Sequence, residues 1–182
     1  MTIEFAKTRR ADSPLPGEPA PFFLGRDEGE HAHLFDSLVT VKLSAEETQG
    51  QFGVFTLEAP RGDTIPAHSH DDVHEIFYVE SGLIRVWIRA TDGEVLERQL
   101  APGDFGYVPA GLAHTFRVEE HDTRIVGVCT GGFERFFAAA GRPADSPELP
   151  APPYVPPMEQ LMAAGEAFHN RFLPHLRLDE PS

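Results

Sequence analysis

Three histidines and a glutamate are the residues of this chain most able to do chemistry. In the stretch Gly62 to Gly82, GDTIPAHSHDDVHEIFYVESG, His68 and His70 lie two apart. On a β-strand that spacing sends both imidazoles to the same face. Asp71 and Asp72 are suited to a turn, and Glu75 opens the run IFYV, which reads as a returning strand. Glu75 is an odd number of residues from His70, so only a turn between them brings its carboxylate back toward the two rings. A second stretch, Gly103 to Val118 (GDFGYVPAGLAHTFRV), supplies His114 at the start of the strand HTFRV. Three neutral imidazoles with one carboxylate suit a first-row transition metal better than calcium or magnesium. The reading is one divalent ion per chain, held by His68, His70, Glu75 and His114: nickel, cobalt, manganese or iron, with copper a further option.

Other histidines are weaker candidates. His70 and His74 stand four apart, as zinc ligands do on a helix, but their surroundings are turn and strand, which leaves His74 outside the ligand set. His31 and His33 repeat the spacing of two without a glutamate at the matching distance. His121, His169 and His175 are isolated.

The elements that must position these groups are short strands. Runs at 33–43, 51–59, 65–70, 75–80, 83–90, 95–100, 105–108, 114–118 and 124–130 are separated by turn signals such as Ser81-Gly82 and Thr91-Asp92-Gly93. Such a pattern predicts an all-β sandwich or barrel of jelly-roll type. Residues 1–30, with the Pro- and Gly-rich PLPGEPAPFFLG, read as a surface and dimerisation segment, 31–132 as the barrel, and 133–182 as helices around a Pro-rich connector. FERFFAAAG predicts one helix ending at Gly141 and MEQLMAAGEAF a second. LRLDEPS reads as a frayed end.

The spacing Gly62-x5-His68-x-His70-x4-Glu75-x6-Gly82, followed by Gly103-x5-Pro109-x-Gly111-x2-His114, resembles both signature motifs of the cupin superfamily. Val118 stands where the second motif usually has Asn, a packing position that leaves the ligands untouched. The intermotif spacer, Leu83 to Pro102, has the short length typical of small prokaryotic cupins. MTIEFA, HAHLF, PAHSH, PGDFGYVP and FERFF extend the likeness to the bacterial single-domain quercetin 2,3-dioxygenases. That resemblance implies a cupin jelly-roll barrel and a metal-dependent enzyme that opens a flavonol's heterocyclic ring with dioxygen, releasing a depside and carbon monoxide. Glu75 would then serve as ligand and general base. Strand alternation sends Phe77 inward with Glu75, and Phe116 inward with His114. With Tyr107, these are the expected substrate-binding residues. A cupin isomerase or lyase and a non-enzymatic small-molecule-binding cupin are the alternatives.

A net charge of −14 argues against nucleic acid and anionic membranes as partners. The N-terminal MTIEFAKTRRADSP lacks the apolar core of a signal peptide, so the chain reads as cytoplasmic. Cys129, the only cysteine, lies in the apolar run IVGVC and reads as a buried free thiol. Exposed sheet edges and the aromatic N-terminal segment point to a homodimer.

Overall fold

Along residues 30–34 and 75–80 buried side chains alternate with more exposed ones, because one face of each strand turns toward the barrel interior. The computed structural model describes residues 10–179. In chain order the elements are β1 (Glu30–Leu34), β2 (Ser37–Leu43), β3 (Gly53–Ala59), β4 (His68–His70), β5 (Glu75–Ser81), β6 (Ile84–Arg89) and β7 (Val95–Leu100). They continue as β8 (Phe105–Val108), β9 (His114–Val118), β10 (Thr123–Cys129), α1 (Glu134–Ala140), β11 (Arg142–Pro143), α2 (Met158–Ala167) and β12 (Asn170–Phe172). Seven strands form one antiparallel sheet in the order β11-β1-β2-β3-β10-β5-β8, and five form a second in the order β12-β4-β9-β6-β7. Two antiparallel sheets with two short helices agree with the all-β jelly-roll expectation.

The core lies between the sheets, where Phe55, Leu57, Phe77, Val79, Val86, Phe116, Val118 and Ile125 are all buried. Gly127 is needed there, since a Cβ at that position would meet the Phe55 ring at 2.2 Å. The missing side chain lets Phe55 pack at 4.6 Å, centroid to centroid, on Phe137 of α1. Gly82, at a φ of 75°, turns the chain from β5 into β6 where a Cβ would strike Thr123.

Three segments differ from the sequence reading. The run expected over 33–43 is a hairpin of β1 and β2, in which Leu34 faces Ser37. Phe35 makes the turn at a φ of 54° without any Gly or Pro to announce it. It is held by two backbone bonds to Tyr154 in the Pro-rich connector. The run expected over 65–70 shortens to β4, because Pro66 has no N–H to give a ladder. The supposedly frayed end is anchored through Leu178, 4% exposed, which packs with Ala67 and Trp87.

At the other end, MTIEFA lies outside the described residues. Residues 10–29 lie against the barrel, with Leu15 buried and the Gly17 N–H donating to Glu47. The 133–178 stretch packs on the barrel and extends both sheets, β11 joining one and β12 the other. Among the described residues no helix is long and apolar enough to cross a membrane.

Candidate metal centre

His68 and His114 face each other directly across the β4–β9 pair, their rings 4.2 Å apart. His70 shares their face by the two-residue period. Glu75 arrives from the other sheet. The turn at Asp71–His74 does not make a hairpin; it carries the chain from the five-stranded sheet into the seven-stranded one. The carboxylate therefore approaches the three imidazoles from across the barrel. One ligand atom from each of the four residues lies within 4.8 Å of all the others, and all four residues are buried.

Second contacts orient the rings. His68 Nδ1 pairs with the Pro66 carbonyl at 2.8 Å, and His114 Nδ1 with the Leu112 carbonyl at 3.0 Å. A carbonyl can only accept, so each Nδ1 carries the proton and each Nε2 presents a lone pair to the cluster. His114 Nε2 then sits 3.0 Å from Glu75 Oε2. His70 Nε2 lies 3.4 Å from the same oxygen, without hydrogen-bond geometry, and neither nitrogen of that ring has a hydrogen-bond partner. Lone pairs converging on a carboxylate in a buried site require a proton or a cation between them. The donor set fits a transition metal, and the convergence of acceptors is the observation that carries this.

Electrostatics agree. Burial alone would raise the Glu75 carboxyl, but the neighbouring His114 and His70 hold it well below the usual carboxylate range. Burial, with His114 and His70 nearby, pushes His68 well below its ordinary value, so its ring is neutral. A neutral His68 ring and an ionised Glu75 carboxylate are in the protonation states that bind metal.

Beside the cluster lies a cavity of ≈ 50 Å³, lined by His68 and Glu75 and otherwise by apolar side chains apart from Asn170. Phe77 and Phe116 are on its wall, where strand alternation puts them. Tyr107 is not. It is paired with outward-facing Ile76, stands 47% exposed and hydrogen-bonds His74 at 2.8 Å. On β8 the inward residues are Gly106 and Val108, so Tyr107 falls on the opposite face. His74 lies outside the cluster, as do His31 and His33. The residues missed from the sequence are on the C-terminal elements: Phe133, Phe136, Phe137, Leu161, Asn170 and Phe172 close the cavity. The phrase FERFF was visible, but nothing in its spacing said which part of the barrel it would cover.

Two antiparallel sheets enclose the three histidines and the glutamate, and residues 55–129 match the family model described as Cupin domain. Over 154 residues, 84% of the chain, it is 36% identical to the quercetin 2,3-dioxygenase of Bacillus subtilis (strain 168). It is also 32% identical over 58% of its length to the quercetin 2,3-dioxygenase of Aspergillus japonicus. The chain spans under half of these relatives, 44% of the first and 30% of the second. Among solved structures, Bacillus subtilis oxalate decarboxylase superposes with a TM-score of 0.52 at 18% identity, over 65% of this chain and 32% of that one. That likeness concerns the fold alone.

Proposed function

We propose that the protein is a metal-dependent dioxygenase acting on a flavonol of the quercetin type. The observation carrying this reading is a buried three-histidine, one-glutamate cluster opening on an aromatic-walled cavity. Identity to two quercetin 2,3-dioxygenases supports it. No Lys or Arg lines the cavity, which disfavours a phosphate or carboxylate substrate. Arg85, on the outer side of β6, is taken up by Glu97 and Glu119.

His68, His70, Glu75 and His114 would hold one divalent transition metal: nickel, cobalt, manganese, iron or copper. The metal's Lewis acidity would lower the pKa of the flavonol 3-hydroxyl. Glu75 takes that proton. Its contacts with His70 and His114 both fall on Oε2, which leaves Oε1 as the receiving oxygen. Phe77 and Phe116, packed on each other at 5.8 Å, form one wall of the cavity and keep water from the electron-rich anion. Attack by dioxygen at C2 then breaks the C2–C3 and C3–C4 bonds. C3 leaves with its oxygen as carbon monoxide, and both atoms of dioxygen remain in the depside. A cavity of ≈ 50 Å³ is well under the roughly 300 Å³ where ligand pockets begin. Flavonol entry therefore requires the aromatic cover from the C-terminal elements to move.

The test is to mix metal-loaded protein with quercetin in air and follow quercetin absorbance, dioxygen uptake and carbon monoxide together. Loss of quercetin with equimolar dioxygen uptake is expected. A reaction that consumes no dioxygen would point to the isomerase or lyase class instead.

The assembly we propose is a homodimer. Two apolar rows cross the outer face of the larger sheet, Val54–Val128–Ile76–Tyr107 and Thr56–Val126–Tyr78–Phe105. Tyr78, Phe105 and Tyr107 are about half exposed, and Phe23 is 98% exposed. Those four rings offer about 500 Å², over half of the roughly 800 Å² each partner of a standard interface buries. A second copy, matching this face with its own, is the occupant we assign.

A further inference from the structure

Apart from the cluster's own His68 and Glu75, Asn170 is the one polar side chain on the cavity wall. It is 7% exposed, and its Oδ1 is buried without a hydrogen-bond partner. Its amide makes no hydrogen bond at all among the described residues.

The fold explains how it comes to be there. On β12, Asn170 pairs directly with His70 of β4, and Phe172 pairs with His68. Residues directly opposite in an antiparallel pair project to the same face, so Asn170 and Phe172 share the inner face with the two histidines. Arg171, between them, points outward to Asp71 at 2.9 Å. The strand is pinned by α2, where a Cβ on Gly165 would come within 2.8 Å of the Asn170 carbonyl oxygen. The amide is held beside the cluster, in an otherwise apolar enclosure.

A buried acceptor without a donor is destabilising until something supplies one. We propose that Asn170 is a specificity-determining residue, whose Oδ1 accepts a hydrogen bond from a ligand hydroxyl other than the one held at the histidine–glutamate cluster. The inference rests on the cavity being the flavonol site. It adds that the site selects for hydroxylation of the ring system as well as for flatness. A site built to pair with a hydroxyl discriminates strongly against an analogue lacking it, since its own polar group is then left unpaired.

The experiment measures equilibrium binding to the metal-loaded full chain without dioxygen, in wild type and in Asn170→Leu. The ligands are quercetin and 3-hydroxyflavone, whose only hydroxyl is the one taken by the cluster. Wild type should prefer quercetin. In Asn170→Leu, quercetin should bind about tenfold or more weakly, while 3-hydroxyflavone stays within about twofold. The ligand-free variant should melt at the same temperature as wild type or higher, because an unpaired polar group has been replaced by an apolar one. Equal weakening of both ligands, no change in either, or a lowered melting temperature would overturn the assignment; Asn170→Ala repeats the comparison if the leucine variant does not fold.

A second arm uses phenol and toluene, which differ by a hydroxyl in place of a methyl and need no flavonol chemistry. Wild type should favour phenol, and Asn170→Leu should lose that preference. If no flavonol binds but the phenol preference depends on Asn170, the flavonol reading fails and this one stands. If flavonols turn over and the variant keeps both preferences, the reverse holds.

Discussion

At the scale of single residues, the site depends on four side chains whose free atoms converge. Nδ1 of His68 and of His114 is committed to a backbone carbonyl, so each Nε2 is aimed and has nowhere else to go. His114→Ala should therefore lose most of the metal. Elemental analysis of protein produced with added nickel, cobalt or manganese should give about one ion per wild-type chain and well under half that in the variant. Full retention would mean that His114 is not a ligand. Glu75 tests whether the site does more than hold an ion. Metal-loaded Glu75→Gln should still bind flavonol but turn over about a hundredfold more slowly, because the amide cannot take the 3-hydroxyl proton. Unchanged turnover at full metal loading would move proton removal to solvent.

Elements explain what individual residues cannot. The turn after His70 changes sheets, which lets a carboxylate face three imidazoles across the barrel instead of lying beside them. The five-stranded sheet that carries the histidines is braced on its outer side by an ionic clamp. Arg85 on β6 donates to Glu119, just beyond β9, at 2.7 Å, and to Glu97 on β7 at 2.6 Å. Gln99 donates to Glu119 at 2.6 Å. The Arg85 bond, then those from Gln99 and Arg117, holds the Glu119 carboxyl down at about 2. The unfolded chain therefore takes up this proton at a higher pH than the folded one. The clamp's stabilisation is present above about 4.5 and is lost as pH falls toward about 2. Glu119→Gln should flatten the acid limb of stability over that window, by a small amount because the pair is close to solvent. Urea titrations at pH 5 and pH 3 measure it; an identical loss of stability in variant and wild type would show the clamp to be inert.

For the whole molecule, the exposed aromatic rows predict self-association. Light scattering at micromolar concentration should give twice the chain mass, and Tyr78→Glu should halve it, by placing a charge in the middle of the face. A monomeric wild type would remove the idea. How much of the molecule was legible beforehand follows from how far each signal reaches along the chain. Period-two alternation and turn residues act locally, so β7, β8 and β9 and the inward aim of Phe77 and Phe116 could be read from neighbours in sequence. The four cluster residues could be read because β4, β5 and β9 each bring their own ligands and the motif spacing is short. The hairpin at Phe35 could not, since its turn is held by Tyr154, far along the chain. Tyr107 lies outside the cavity for a related reason: its aromatic type suggested a wall of the pocket, while its register opposite Ile76 put it on the other face. The cover was hidden most completely. Phe133, Asn170 and Phe172 reach the cavity only because α1 packs on the sheet and β12 pairs with β4. The amino-acid order by itself set the fold class and the residues able to hold a metal, because those depend on local periodicity. Tertiary packing alone decided what closes the cavity and which polar atom is left facing into it, because strand pairing across about a hundred residues leaves no local trace.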